Sequence, residues 1–202
     1  MSTITLRNNT NEVVRLAIFK TPVLNPTLGT IAWQVCAPPP GGQQTIQIPD
    51  DFSVFAQYSS DPSNPSNLNC ETAHVPFAET TAAFSIDSVS SQDRLATGAV
   101  INQQFNGLVL NEVRITNNYG LGALTTIAAN GDAIYPPQVI WPGGLFIEDV
   151  RGTYYVAVVA QFTRKGDRLV QEEFSQTQTA VLEGGVLTVT GSMWNGYSLS
   201  AA

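Results

Sequence analysis

Charge is what this chain has least of. Lys, Arg, Asp and Glu together make up 12% of its 202 residues, about half the share usual in a soluble domain. Ser, Thr, Asn and Gln must therefore cover much of the surface, as they do in lectin-like and assembly-forming β proteins. The little charge there is leans acidic, sixteen Asp and Glu against nine Lys and Arg for a net charge of −7. Such a surface repels phosphate backbones and anionic head groups, so nucleic acid is not an expected partner.

Histidine is scarcer still. His74 is the only one, which removes the usual base of a Ser or Cys nucleophile. It follows Cys70 by four residues, and in an extended chain that spacing holds thiol and imidazole apart. Cys36 and Cys70 are the only cysteines. Two Cys and one His cannot supply the four ligands of a zinc site without carboxylates. The pair is expected as two free thiols, with one disulfide between loops as the alternative in an oxidising compartment. Adjacent acids at Asp50-Asp51 and Glu148-Asp149 have no calcium-loop spacing and are expected as solvated turn residues. The Gly-x-Ser-x-Gly elbow, the phosphate-cradling Gly-Lys loop and the dinucleotide fingerprint are all absent. The expectation is a protein with no catalytic residues, no metal and no cofactor.

Long apolar runs are missing too, so no transmembrane helix is expected. The chain opens Met-Ser-Thr and enters a strand at once, without the basic and apolar segments of a secretory signal. The expected location is the cytoplasm, or outside it by export without a classical signal peptide. No window carries a sustained helical period with caps; Ser88 to Thr97 is the one short candidate.

What is present is alternation of period two, punctuated by Gly and Pro. Ile46 and Ile48 alternate with Gln43, Thr45 and Gln47, giving one dry face and one wet. Phe52 to Tyr58 and Tyr154 to Phe162 are apolar on both faces, as central strands are. Asn130-Gly131 and Asn195-Gly196 are hairpin dipeptides, and Lys165-Gly166-Asp167 and Glu183-Gly184-Gly185 mark further turns.

The pattern is written twice. Ile4-Thr5-Leu6-Arg7-Asn8-Asn9 recurs as Val113-Arg114-Ile115-Thr116-Asn117-Asn118; Pro40-Gly41-Gly42 recurs as Pro142-Gly143-Gly144; Ala56-Gln57-Tyr58 is set against Ala160-Gln161-Phe162. Trp33 matches Trp141 if residues 34–39 are an inserted loop, and this equivalence points to core packing for both. The expected fold is all-β, an antiparallel β-sandwich built from two similar, duplicated halves: a first repeat over 1–88, a linker over 89–106 and a second repeat over 107–202. Asn8-Asn9-Thr10 meets the glycosylation pattern, but a structural turn accounts for it. The loop over 37–42, apart from its closing Pro-Gly-Gly, and the loop over 59–69 belong to the first half only, which places any specialised surface there.

Two functions follow. Few charges and short strands with exposed edges point to a non-enzymatic structural or interaction protein that self-associates, with a homo-oligomer or another protein as partner. The alternative is a module that binds carbohydrate or a lipid surface through an exposed aromatic. Trp194, beside the Asn195-Gly196 turn, is the aromatic expected to be exposed, and with Asn195 and Tyr197 it forms the candidate ligand-binding site.

Overall fold

The structure is a computed structural model that describes residues 2–78, 80–90, 97–151, 153–170, 179–181 and 184–201. It is all-β. The strands before residue 107 are β1 (Ser2–Asn8), β2 (Leu16–Lys20), β3 (Thr30–Ile31), β4 (Gln34–Cys36), β5 (Gln43–Ile48), β6 (Phe52–Tyr58), β7 (Cys70–Glu71), β8 (Val75–Phe77), β9 (Ala82–Ser90) and β10 (Thr97–Gln104). Those after it are β11 (Val113–Asn117), β12 (Ala123–Ala129), β13 (Asp132–Ala133), β14 (Gln138–Ile140), β15 (Leu145–Glu148), β16 (Tyr154–Val158), β17 (Arg168–Leu169), β18 (Thr179–Val181), β19 (Val186–Ser192) and β20 (Gly196–Ala201). One 3-10 turn, Pro26–Leu28, interrupts the connection between β2 and β3.

Four larger sheets pack into a sandwich-like body, in the orders β20-β19-β1-β5, β10-β9-β11-β15, β18-β16-β2-β4 and β13-β12-β6-β7, with β14 on β12 and β8 on β6. Most ladders are antiparallel; β1–β19 and β9–β11 run parallel. Each of these sheets takes strands from both sides of residue 107. The ladders also recur. β1–β5 corresponds to β11–β15, β1–β19 to β11–β9, β9–β10 to β19–β20, β2–β4 to β12–β14, β2–β16 to β12–β6, and β6–β8 to β16–β18. Of the span expected to link the repeats, residues 97–104 form β10 and pair with β9. The short helix expected over Ser88 to Thr97 is strand at both its ends, and its middle, 91–96, lies outside the described residues.

The two Asn-ending strands show why the sequence repeats there. Asn8 is buried at the end of β1, and its side-chain amide donates to the carbonyls of Glu12 (2.8 Å) and Pro38 (3.0 Å) while its oxygen accepts from Thr10 N and Thr10 Oγ. Asn117 does the same at the end of β11, donating to Leu121 O (2.8 Å) and Ile140 O (2.7 Å) and accepting from Tyr119 N. Next to each, the backbone amide of Asn8 donates to Gly42 O and that of Asn117 to Gly144 O, so each Pro-Gly-Gly turn is docked on its Asn. A buried amide that satisfies all its groups fixes where strand, turn and following strand meet. The glycosylation-like Asn8-Asn9-Thr10 is thus a structural turn.

The same hydrogen bonds correct two of the expected matches. Trp33 donates its backbone amide to Ile18 O, and the residue that donates to the corresponding Ile127 O is Ile134, not Trp141. Trp33 is fully buried, with its indole N–H on Ala129 O, whereas Trp141 opens the Pro-Gly-Gly turn and is 68% exposed. Val54 opposes Ile127 and Val156 opposes Ile18. The match to Ala56 is therefore Val158, two residues before Ala160. β16 accordingly stops at Val158, and Phe162, expected in a buried strand, sits in a turn at 83% exposure.

A further correction concerns the acids at 148 and 149, which are buried rather than solvated. Glu148 Oε1 accepts from the backbone amides of Val23, Leu24 and Asp149, and Oε2 from Asn25 N and Nδ2. It clamps the loop between β2 and β3. Asp149 pairs with Arg151 at 2.7 Å, whose hydrogen bond holds its carboxyl below the usual range.

Candidate functional site

The outer face of the β10-β9-β11-β15 sheet carries a connected cluster of hydrogen-bonded polar side chains. Alternation puts Ala82, Phe84 and Ile86 of β9 and Val113, Ile115 and Asn117 of β11 into the core, so Ser85, Asp87, Arg114 and Thr116 point the other way. Parallel pairing sets Ser85 beside Thr116 and brings Asn118 alongside Asp87. With Gln104 from the end of β10, these side chains line a groove of about 470 Å³.

Asp87 is its centre. Oδ2 accepts from Ser85 Oγ (2.5 Å) and Asn102 Nδ2 (2.8 Å), and Oδ1 from Asn118 Nδ2 (2.8 Å). Gln104 Nε2 in turn donates to Ser85 Oγ at 2.7 Å. Partial burial would raise the carboxyl, but the hydrogen bonds from Ser85, Asn102 and Asn118 outweigh it and hold the group below its ordinary value. A carboxylate offers about four lone-pair sites. Three are taken by the protein, which fixes the group's orientation and leaves acceptor capacity toward the groove. Held ionised, Asp87 accepts hydrogen bonds and does not deliver protons. Across the groove Arg114 supplies donors; its Nε lies 3.7 Å from Glu112 Oε2, an ion-pair distance too long for a hydrogen bond. Carboxylate, guanidinium, three amides and two hydroxyls, from three strands and the loops that follow two of them, thus line one concavity.

Trp194, Asn195 and Tyr197 come together at the β19–β20 hairpin. Trp194 is 90% exposed at its tip, as expected from sequence. Asn195 N donates to Ser192 Oγ (3.2 Å), and the Tyr197 hydroxyl donates to Glu12 Oε2 at 2.6 Å. Met193 N reaches the same oxygen, so Glu12 braces the hairpin from the β1–β2 loop. Burial, together with that carboxylate, pushes the Tyr197 hydroxyl up to about 12. The trio makes a stiff projection, whereas the groove is a concavity.

The other candidates resolve into structure. His74 stacks on Phe55, ring centres 4.0 Å apart, and shares a 3.1 Å contact with Glu71. Cys36 and Cys70 are both free thiols. Burial pushes Cys36 up to about 12, with Arg15 opposing, which keeps its thiol protonated and unreactive. Among the described residues no three His, Cys, Asp or Glu cluster as metal ligands. None forms a helix long and apolar enough to cross a membrane.

The groove is not in the first half alone, where a specialised surface was expected, and sequence reading missed its residues. Their signal is period two: Ser85 and Asp87, Asn102 and Gln104, Arg114, Thr116 and Asn118. Each run alone is an ordinary wet strand face. Only the β9–β11 pairing joins them. No protein family, no curated protein and no solved structure matches this chain.

Proposed function

We propose that this protein is a non-enzymatic carbohydrate-binding module and that the Asp87 groove is its binding site. The observation that carries this reading is the preorganised carboxylate. Asp87, oriented by three donors, stands among groups that both give and accept hydrogen bonds, and a sugar's adjacent hydroxyls ask for that mixture. The ligand class is neutral, since a net charge of −7 and the Asp87 carboxylate both oppose anions. Phe105, 77% exposed between the groove residues Gln104 and Asn106, offers an apolar face at the rim.

Calorimetry and a printed array of neutral glycans test the proposal with wild type and Asp87→Asn. Substitution turns the acceptor facing Asn102 and Asn118 partly into a donor. Binding should weaken by at least about tenfold, the loss of one charge-assisted hydrogen bond. Unchanged binding in the variant would reject the site.

A second reading, self-association, has its own observation. β10 and β20 have no ladder partner on their outer sides among the described residues, and neither contains a charged residue or a proline. Such edges pair readily with other strands. Light scattering across concentration tests it: a monomer throughout rejects it, and Val100→Lys on β10 should abolish any association seen.

A further inference from the structure

A second depression lies around the corner from the groove. It is mainly apolar, about 240 Å³, and is lined by Pro65, Ser66, Leu68, Gly122, Val139 and Trp141 among others. The Trp141 ring packs closely against Gly122, where an added Cβ would come within 3.0 Å and 3.1 Å of two ring carbons. Glycine at 122 therefore lets the indole settle in this position, where Trp141 stays largely exposed.

Two segments are shared by both depressions. In the loop after β11, Asn118 lines the polar groove and Gly122 the apolar one; where the Pro-Gly-Gly turn leads into β15, Leu145, the first residue of that strand, lines the first and Trp141 the second. The turn is closed by Gly144 N on Trp141 O (2.8 Å), with Gly143 at φ 74 as the second central residue of such a turn requires. It is pinned from below by the Asn117 pair, Gly143 N to Asn117 O and Asn117 N to Gly144 O. A closed turn keeps its first and fourth Cα atoms within about 7 Å, so Trp141 and Leu145 are about 11 Å apart at most along the rim. An aromatic side chain and a polar groove are thus joined by the same two chain segments.

We infer that the ligand is an oligosaccharide rather than a single sugar, with one ring held by hydrogen bonds at Asp87 and another ring of the same chain stacked on Trp141. This rests on the carbohydrate reading above. A pyranose has an apolar C–H face and a polar rim; the Trp141 indole suits the first and the Asp87 groove the second. Leu68, Pro65 and Ser66, on the loop following β6, close the far side of the stacked ring. That loop is itself ordered by short turns, Ser59 Oγ donating to Asp61 O and Asn64 O, and Ser63 N to Asp61 Oδ1.

The test is a chain-length series. Neutral hexose oligomers of one to six rings, in β-1,4-glucose, β-1,4-mannose and α-1,4-glucose series, are titrated by calorimetry into wild type, Trp141→Ala and Asp87→Asn. Affinity for at least one series should rise by about tenfold between one ring and three, the scale of one aromatic contact. Trp141→Ala should flatten that rise and leave monosaccharide binding intact, whereas Asp87→Asn should weaken every length. Trp194→Phe removes the other exposed indole, and in that background emission should shift on adding the trimer and not the monomer. Length-independent affinity that falls in Asp87→Asn but not in Trp141→Ala overturns the oligosaccharide inference and leaves the groove standing. Failure of every saccharide to bind overturns both.

Discussion

Removing the Glu148 carboxylate should release the loop between β2 and β3 and destabilise the whole protein. The loop, residues 21–29, has few other ties: Pro22 is buried, Arg168 Nη2 donates to Leu28 O at 2.9 Å and Asn25 Nδ2 to Ile147 O, but Val23 and Leu24 are exposed and none of the residues in its 3-10 turn is buried. What fixes it is chiefly four N–H contacts from Val23, Leu24 and Asn25 to one buried carboxylate, at 2.8 to 3.2 Å, and Asp149 N gives that carboxylate a fifth. A hydrogen bond to a charged group contributes roughly 1.5 to 3 kcal/mol, but five to one group do not add, and burying the ion offsets part of the gain. Loop amides regain water once released, so Glu148→Ala should cost about 3 kcal/mol. Glu148→Gln keeps an acceptor for Val23 and Leu24 and points an NH₂ at the Asn25 donors, for a loss of about 2 kcal/mol. Urea unfolding followed by circular dichroism reads both, and for a chain of this length the Ala variant should melt about 6 to 12 °C lower. Limited proteolysis should show new cleavage within 21–29. An Ala variant within about 0.5 kcal/mol of wild type, or a Gln variant less stable than Ala, would refute the clamp.

Lys20 is buried, with Nζ on Val150 O at 2.8 Å and 4.4 Å above the Tyr154 ring. Burial lowers it to about 8, against an opposing pull from Asp149. Between pH 8 and its unfolded value of 10.5 the unfolded chain holds the extra proton, so the Lys20 contribution to stability rises with pH across that window and its cost is fully present below it. The stability of Lys20→Met relative to wild type should therefore fall by roughly 3 kcal/mol from pH 7 to pH 11; a flat difference in urea titrations at the two pH values would reject this. Asn117→Asp removes the donor that serves Leu121 O and Ile140 O, and should cost about 3 kcal/mol in the same assay; Asn8→Asp should behave alike. Trp33→Phe should cost about 2 kcal/mol through lost volume and the stranded Ala129 carbonyl, while Trp194→Ala at the exposed tip should stay within about 0.5.

Local features were the legible ones. Asn130-Gly131 takes positive φ at both residues (54° and 79°) and closes the β12–β13 hairpin as the dipeptide implied. The alternation in β5 assigned its faces, and the two Pro-Gly-Gly turns fall where spacing put them. The Trp match failed because it followed residue identity, whereas the corresponding backbone donors are Trp33 and Ile134. Buried indole and exposed indole look alike in one dimension. Glu148 was read as solvated for a related reason: its five donors come mostly from residues more than 120 positions earlier, and nothing beside it in sequence announces them.

The corresponding ladders also explain why composition alone said so little about function. Ile86 pairs with Asn117 in the β9–β11 ladder as Val189 pairs with Asn8 in β19–β1. The counterpart of Asp87 is therefore Thr190, that of Ser85 is Thr188, and that of Asn118 is Asn9. The buried side of both sheets needs the same thing, branched and aliphatic residues around a satisfied Asn, and both keep it. Their outer sides bear no packing constraint and differ at several positions: Asp87 stands where the other sheet has Thr190, Asn102 where it has Ser200 and Arg114 where it has Thr5. Specificity written on a solvated sheet face requires a few polar residues among many, each at a position where any polar residue would fold as well. The scaffold is thus overdetermined by the sequence and the site is not, since Asp87 becomes distinctive only when Asn102 and Asn118 are brought to its two oxygens by strands that the chain order separates.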